Sequence, residues 1–470
     1  MENGQLKVWR EQEKVPDLLA VPEYIPGGYT ASTVSEKISG LVLKRPTGVG
    51  WLGGFGLSCL LLAIFGMAVL WLLVFGVGIW GIQIPNCWGF DITNFVWWIG
   101  IGHAGTLISA FLLLMHQRWR TSINRIAEAM TIFAVMCAGL FPLLHLGRPW
   151  FFYWLLPYPN TMALWPQFRS PLVFDVFAVG TYFTVSLLFW YMGMIPDLAT
   201  LRDRATSRLP RIAFAALALG WRNSARHWHR YEQAYLLLAG LGTPLVISVH
   251  SVVSSDFASS IEPAWHETVF PPYFVAGAIF SGFAMVILLC IPIRHFYRLQ
   301  EFITIDHLDV MGKLLLATSF LTSYGYLSEQ FVSWYGGETA ERYVYWWRLF
   351  GFEQYASITW FLFFCNTIVP QLLWSRRMRR RVSVLAVVSL LVLVGMWFER
   401  YMIITTTLSR DYLPSSWGFF KPTIWDILTF VGSLGIFFTA FLLFARVLPV
   451  MSMAETRALL PGAHGPEVGR

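Results

Sequence analysis

The chain has 470 residues, of which 56% are hydrophobic and only 13% are charged, and its formal net charge is +7. A composition this apolar excludes a chain of ordinary soluble domains. The charged residues gather in short connecting segments, where a basic excess sets membrane orientation, so the positive charge does not imply a nucleic-acid partner. The sequence therefore predicts an integral membrane protein, all-α in class.

About ten apolar stretches reach the roughly 20 residues that cross a hydrocarbon core as a helix. These predicted spans lie near 51–82, 91–115, 126–145, 172–195, 232–254, 269–293, 306–329, 355–374, 383–405 and 424–447. Residues 1–50 are predicted to form a polar N-terminal arm that lacks a cleavable signal, and residues 448–470 a short tail.

A weak internal repeat subdivides the spans. The segment GHAGTLISAFLLLM followed by RIAEAM resembles FVAGAIFSGFAMVI followed by DHLDVM. Each copy joins the end of one span to the start of the next, so we predict two related four-helix bundles, at 91–254 and at 269–405.

Lysine and arginine are distributed unequally between the two sides of the membrane. The loops after spans two, four, six and eight carry 17 of these residues, and the loops after the odd-numbered spans carry 6. The positive-inside rule then predicts that the even loops, the basic segment 197–231 and both termini are cytoplasmic. The odd loops face outward.

Sequence spacing argues against a bound metal or haem. The five cysteines stand singly, so we expect no iron-sulfur cluster and no zinc site. Two stacked haems would need two helices that each carry a histidine pair, and only His103 and His116 have suitable spacing. We therefore expect no haem, and electrons would have to pass to a partner.

Titratable residues within spans are costly unless they are paired or face water. In the first bundle they collect toward the outer end, where imidazole, carboxylate and guanidinium groups could bind a hydroquinone and accept its protons. The candidates at this end are His145, Arg148, Asp175, His250 and Asp256, and His103 is predicted to lie deeper in the same bundle, about 12 residues or roughly 18 Å into span two. For any one of them alone, a plain interfacial side chain is the simpler interpretation.

A second set of titratable residues follows the second bundle across the membrane. Its members are Asp309, Lys313, Glu329, Glu399 and Arg400. They could form two proton half-channels, or they could be structural ion pairs, since Asp309 and Lys313 are four residues apart on one helix. Both interpretations stay open at this point.

The stretch from HAGTLISAFLLLM through HLGRPWFFYWLLPYPN, with SPLVFDV and VISVHSVVSSDFA after it, resembles the NrfD/PsrC family of quinone-interacting membrane subunits. The resemblance implies two four-helix bundles with one flanking helix on each side. It implies a quinol site near the outer face, with His145 and Asp175 at the quinol-site positions, and a proton route through the same subunit.

Within that family, the length and the long polar arm look most like the larger, ActC-type subunit of bacterial alternative complex III. That resemblance implies quinol oxidation, with menaquinol as one candidate substrate, in a bacterial inner membrane. It also implies an iron-sulfur subunit at the outer face, c-type haem subunits and a second NrfD-like subunit as partners. A membrane anchor of a molybdenum reductase and an ion-coupled secondary transporter remain as alternatives.

Overall fold

The computed structural model describes residues 25, 28–156, 171–352 and 355–460. Every regular element within these ranges is helical, which confirms the all-α class. Most of the predicted arm, at 1–24 and 26–27, and the end of the predicted tail, at 461–470, lie outside the described residues.

Fourteen helices of the described ranges are numbered here in chain order. They are α1 Ala31–Leu43, α2 Val49–Phe75, α3 Phe90–Leu114, α4 Asn124–His145, α5 Pro171–Arg204, α6 Arg208–Leu217, α7 Ala225–Ala258, α8 Phe270–Phe296, α9 Ile305–Gly336, α10 Thr339–Phe350, α11 Ala356–Trp374, α12 Val382–Leu408, α13 Ile424–Val447 and α14 Met453–Ala458. A π-helical turn interrupts α3 at Leu107–Phe111, and another interrupts α11 at Phe364–Ile368.

Nine helices in the described ranges are long and apolar enough to cross a membrane, so the chain is a multi-pass membrane protein. They are α2, α3, α4, α5, α7, α8, α11, α12 and α13. The remaining predicted span, 306–329, is the 32-residue helix α9. At about 1.5 Å per residue this helix is long enough to cross, but it is more polar than the others. Its crossing stays a prediction.

Several span boundaries differ from the sequence prediction. The first span was expected to reach residue 82, but α2 ends at Phe75 because Gly76 adopts a left-handed φ of +78°. Helices α5 and α7 extend past the apolar stretch, and α6 lies between them, so much of the basic segment 197–231 is helical. The hydropathy of the sequence predicts where an apolar stretch ends, but the hydrogen bonds of a helix can continue past that point.

Packing divides the spanning helices into neighbouring groups. Helices α3, α4, α5 and α7 pack together, and we call them the first helix group. Helices α8, α9, α11 and α12 form the second helix group, and α3 packs against α8 where the two groups meet. In both α3 and α8, 83% of the most apolar segment is buried, against 22% in α2, which packs along α13 at the periphery.

One end of the first helix group is held by buried ion pairs. Arg125 on α4 lies 3.2 Å from Glu128 and 3.4 Å from Asp197 on α5. The short helix α14 contributes to this end as well, because its Glu455 forms an ion pair with Arg120 at 2.9 Å. These contacts hold the ends of α4 and α5 together, and the opposite ends of the same helices surround an apolar cavity.

Candidate functional site

An apolar cavity of about 390 Å³ lies where the ends of α4, α5 and α7 meet. This volume falls in the usual range for a small-molecule site. Its apolar walls include Trp88, Ile92, Phe95, Leu143, Leu146 and Phe152. Its acidic and imidazole groups are His145, Asp175 and Asp256. The structure thus brings three residues of the predicted outer set to one apolar cavity.

His145 is oriented by a buried carboxylate that the sequence analysis did not select. Its Nδ1–H donates a short hydrogen bond to Asp91 Oδ2. Asp91 lies in the first turn of α3, its side chain is 1% exposed, and its other oxygen accepts from the Gly89 amide at 2.9 Å. With Nδ1 as donor, Nε2 of the neutral imidazole is an acceptor.

Asp175 and Asp256 form a carboxyl pair across α5 and α7. Their carboxyl groups lie within hydrogen-bonding reach of each other, and one oxygen of each has no partner among the described residues. Two carboxylates in contact repel each other, so a shared hydrogen bond requires that one carboxyl holds a proton. The pair can therefore carry one proton and exchange it with a group in the cavity.

His250 and His103 lie deeper and do not line the cavity. Both side chains are fully buried, and their rings contact each other edge to face with centroids 4.5 Å apart. His103 Nδ1 bonds the Ile99 carbonyl at 2.7 Å. Within the described residues, neither ring nitrogen of His250 has a hydrogen-bond partner. This pair is a separate polar position between the two helix groups.

Arg148 is exposed and is not among the residues that line the cavity. Its motif, HLGRP, instead shapes the cavity wall. Gly147 turns the chain with a left-handed φ of +68°, and Pro149 begins a short 3₁₀ helix, Pro149–Leu155. That helix contributes apolar side chains to the wall. The glycine and proline therefore account structurally for much of the motif.

Within the second predicted set, Asp309 and Lys313 form an ion cluster at one end of α9. Their charged atoms are 3.1 Å apart, and Arg379 contacts the other oxygen of Asp309 at 2.7 Å. Lys313 is 44% exposed. Because Asp309 is matched by two cations, this arrangement favours the ion-pair interpretation for these two residues.

Glu399 and Arg400 lie together inside the second helix group. Their ion pair is 3.0 Å long and almost fully buried. The Tyr326 hydroxyl donates a short hydrogen bond to Glu399, and the Asn366 amide donates to that hydroxyl at 2.8 Å. The Arg400 guanidinium also lies 4.0 Å from the centre of the Phe274 ring, and the centre of that ring is 5.9 Å from the centre of the His250 ring.

Glu329 and Glu399 both line a small cavity of about 30 Å³. Arg348 on α10 lies 3.5 Å from Glu329 and donates to the Thr406 and Thr407 hydroxyls at 2.7 and 2.9 Å. A cavity of this size has room for one or two water molecules. Glu329 and Glu399 thus share a polar cavity, whereas Asp309 and Lys313 do not line it.

Glu267, in the loop before α8, continues the polar cluster beyond the spanning helices. The Tyr345 hydroxyl donates to it at 3.0 Å. Burial, followed by the negative charge of Glu329, raises the pKa of Glu267 to about 9. This carboxyl therefore holds a proton at neutral pH.

The residues that sequence reasoning missed share one property, since each takes its role from a partner distant in the chain. From the sequence alone, Asp91 is an ordinary acidic residue in the first turn of a predicted helix. In the sequence, Arg348 lies in a connecting segment, and Tyr326 is one aromatic residue among many. The sequence offered one signal for the pair of Asp91 and His145, namely that both lie at the outer ends of predicted spans.

Among the described residues, no three His, Cys, Asp or Glu side chains converge as a metal site would.

Comparison with known proteins identifies the family. The family model described as "Polysulphide reductase, NrfD" matches residues 81–410. The chain is 25% identical over 381 residues to a putative dimethyl sulfoxide reductase membrane subunit of Halobacterium salinarum, with 77% of this chain and 78% of that protein covered. It is 25% identical over 211 residues to a selenate reductase subunit of Mesobacillus selenatarsenatis, with 43% and 47% covered. The family match covers more than half of the chain and includes every residue of the cavity, so the chain belongs to the NrfD family.

Proposed function

We propose that this protein is the membrane subunit of a quinone-linked reductase complex, in which it oxidises quinol and delivers the electrons to an iron-sulfur subunit. The family match and the likeness to two reductase subunits support this assignment. The observation that carries it is the apolar cavity in which an oriented histidine and a carboxyl pair are available to a ligand. An apolar wall suits a quinone ring, and the polar groups suit its two hydroxyls.

Proton acceptance is the chemistry that this chain's own residues provide. Oxidation of one quinol releases two protons and two electrons and leaves the quinone. Nε2 of His145 accepts one proton, and Asp91 stabilises the resulting imidazolium. The ionised member of the Asp175–Asp256 pair accepts the other, which leaves both carboxyls neutral. Both electrons pass to the partner, which serves as the oxidant.

The comparisons reorder the alternatives from the sequence analysis. Alternative complex III was the first expectation and a reductase anchor the second, but both named relatives are described as reductase subunits. We therefore place the reductase anchor first, with a molybdenum subunit beyond the iron-sulfur partner. Membership of alternative complex III, with c-type haem partners and a second NrfD-like subunit, stays a prediction.

The assignment is tested by purifying the complex from native membranes and identifying its subunits. We expect an iron-sulfur subunit and a molybdenum subunit, and menadiol-driven reduction of dimethyl sulfoxide, selenate or polysulfide. Recovery with c-type haem subunits would instead support alternative complex III. A protein recovered alone, with no effect on quinol oxidation, would contradict the proposal and favour a transporter.

A further inference from the structure

A second cavity, of about 370 Å³, forms a groove between α2, α8 and α13. Its walls are apolar and include Leu289, Ile293, Phe296, Phe438, Phe441 and Leu442. The groove lies beside the first turns of α2, whereas the loop after the last turn of α2 contacts Gly147 next to the first cavity. The 27 residues of α2 separate these ends by about 40 Å. The groove is therefore independent of the proposed quinol site.

Two guanidinium groups stand at the mouth of the groove. Arg446, in the last turn of α13, donates to the Thr47 hydroxyl at 3.3 Å and to the Val42 carbonyl at 3.1 Å. Arg45 donates to the carbonyl of Phe296, and its guanidinium lies 4.4 Å from the centre of the Tyr297 ring. All of these partners are neutral.

Neither arginine forms an ion pair within the described residues, although neighbouring cations do. Lys44 pairs with Glu36 at 3.2 Å, and Lys37 pairs with Glu301. Two uncompensated positive charges at the end of an apolar groove attract an anion attached to an apolar chain. A quinone carries no anionic group and would leave both charges unmatched.

The α2 side of the groove is open. Gly48 and Gly50 line it, and a Cβ atom added at either position would meet no other atom within 4 Å. Helix α2 is the least buried of the nine apolar helices, so the described part of the chain leaves this side of the groove uncovered. An acyl chain can enter the groove from that side.

We propose that the groove binds an anionic glycerophospholipid, with its phosphate beside Arg45 and Arg446 and one acyl chain along α2, α8 and α13. The lipid would act as a structural ligand that joins the peripheral pair α2 and α13 to the second helix group. This proposal is independent of the reaction at the first cavity.

The test is native mass spectrometry of the full chain in its complex, delipidated and then titrated with dioleoyl phosphatidylglycerol or dioleoyl phosphatidylcholine. Two guanidinium groups near a phosphate favour the anionic lipid by on the order of 10-fold in affinity. We expect this preference in the natural protein and its loss in the double variant Arg45→Gln, Arg446→Gln. The exposed Arg377→Gln is the matched control and should keep the preference.

A second variant guards against misfolding of the double arginine variant. Gly50→Leu keeps both charges, fits the open space at that position and occupies the groove, so it should weaken binding of both lipids. Equal affinity for the two lipids in the natural protein would overturn the proposal. So would an unchanged preference in the arginine variant, unchanged binding in Gly50→Leu, or a polypeptide or quinone found in the groove.

Discussion

The carboxyl groups at the first cavity have different partners from those of the second helix group. In the second group, Glu329, Glu399 and Asp309 each lie within 3.5 Å of an arginine. In the first group, Asp175 and Asp256 have each other and an apolar cavity of about 390 Å³ beside them. The arginine pairs of the second helix group neutralise buried charge within the protein. The carboxyl pair of the first helix group leaves oxygen atoms available to a ligand.

This difference indicates which carboxyl groups can exchange protons with a ligand and which cannot. A carboxyl pair with unused oxygens, beside a space that holds a small molecule, can exchange protons with that molecule. Carboxylates held by arginines around a cavity of about 30 Å³ can exchange protons with neighbouring hydroxyls and with water, but the cavity is too small for a quinol. Five experiments test this contrast, and their expected effects decrease in the order given.

Asp175→Asn should have the largest effect. It keeps the size of the side chain and one acceptor but removes its basicity, so quinol turnover should fall by on the order of 10²-fold. Quinol affinity should change less. The measurement is quinol:acceptor activity of the purified complex at matched protein concentration, with the exposed Asp203→Asn as control. Near-normal turnover in an assembled Asp175→Asn complex would place the quinol site elsewhere.

Asp91→Asn should lower turnover by about 10-fold, the effect of losing one charge-assisted hydrogen bond. His145→Ala should lower turnover further and also weaken quinol affinity, because it removes both the base and a hydrogen bond. Since Asp91 acts through His145, the double variant should match His145→Ala alone. Additive losses in the double variant would show that Asp91 has a role separate from the histidine.

Glu399→Gln should leave quinol oxidation almost intact, because Glu399 lies in the second helix group and away from the first cavity. If the polar cavity carries protons, the variant should lower the number of protons moved per electron in reconstituted vesicles. The exposed Glu301→Gln serves as control. An unchanged proton-to-electron ratio would assign Glu399 to a structural ion pair.

Asp309→Asn should reduce the stability of the protein and leave quinol oxidation and proton movement unchanged. It removes the partner of Arg379, and an ionised group left unpaired costs about 1–3 kcal/mol. The measurement is the Tm of the complex in detergent, followed by activity at a temperature below the transition. Loss of proton movement at normal stability would return Asp309 to the proposed proton route.

Glu267→Gln should have the smallest effect and should depend on pH. The pKa of Glu267 is raised to about 9 from an ordinary value near 4.5, so the folded protein retains a proton that the unfolded chain has released. Between these values stability falls as pH rises, and the variant removes this penalty. The Tm difference between variant and natural protein should therefore grow with pH. A constant difference would contradict the raised pKa.

Sequence reasoning brought together three residues of the candidate site because topology constrains where span ends meet. His145, Asp175 and Asp256 were grouped from loop charge and span order alone, and the structure places them at one cavity. The same reasoning placed His250 and Arg148 with them and His103 deeper in the bundle. In the structure His250 is buried beside His103, and Arg148 is exposed and does not line the cavity, because shared membrane side does not determine which face of a helix a residue occupies.

The sequence by itself determined the class of the protein. Apolar stretches of the length of a bilayer require spanning helices, since backbone polar groups within lipid must be satisfied internally. Only the tertiary structure decided the pairings, such as Asp91 with His145 and Arg348 with Glu329. Each pair joins residues 19 or more positions apart, and such contacts depend on the rotation and crossing of packed helices. Those quantities arise from side-chain packing between helices and leave no local pattern in the chain.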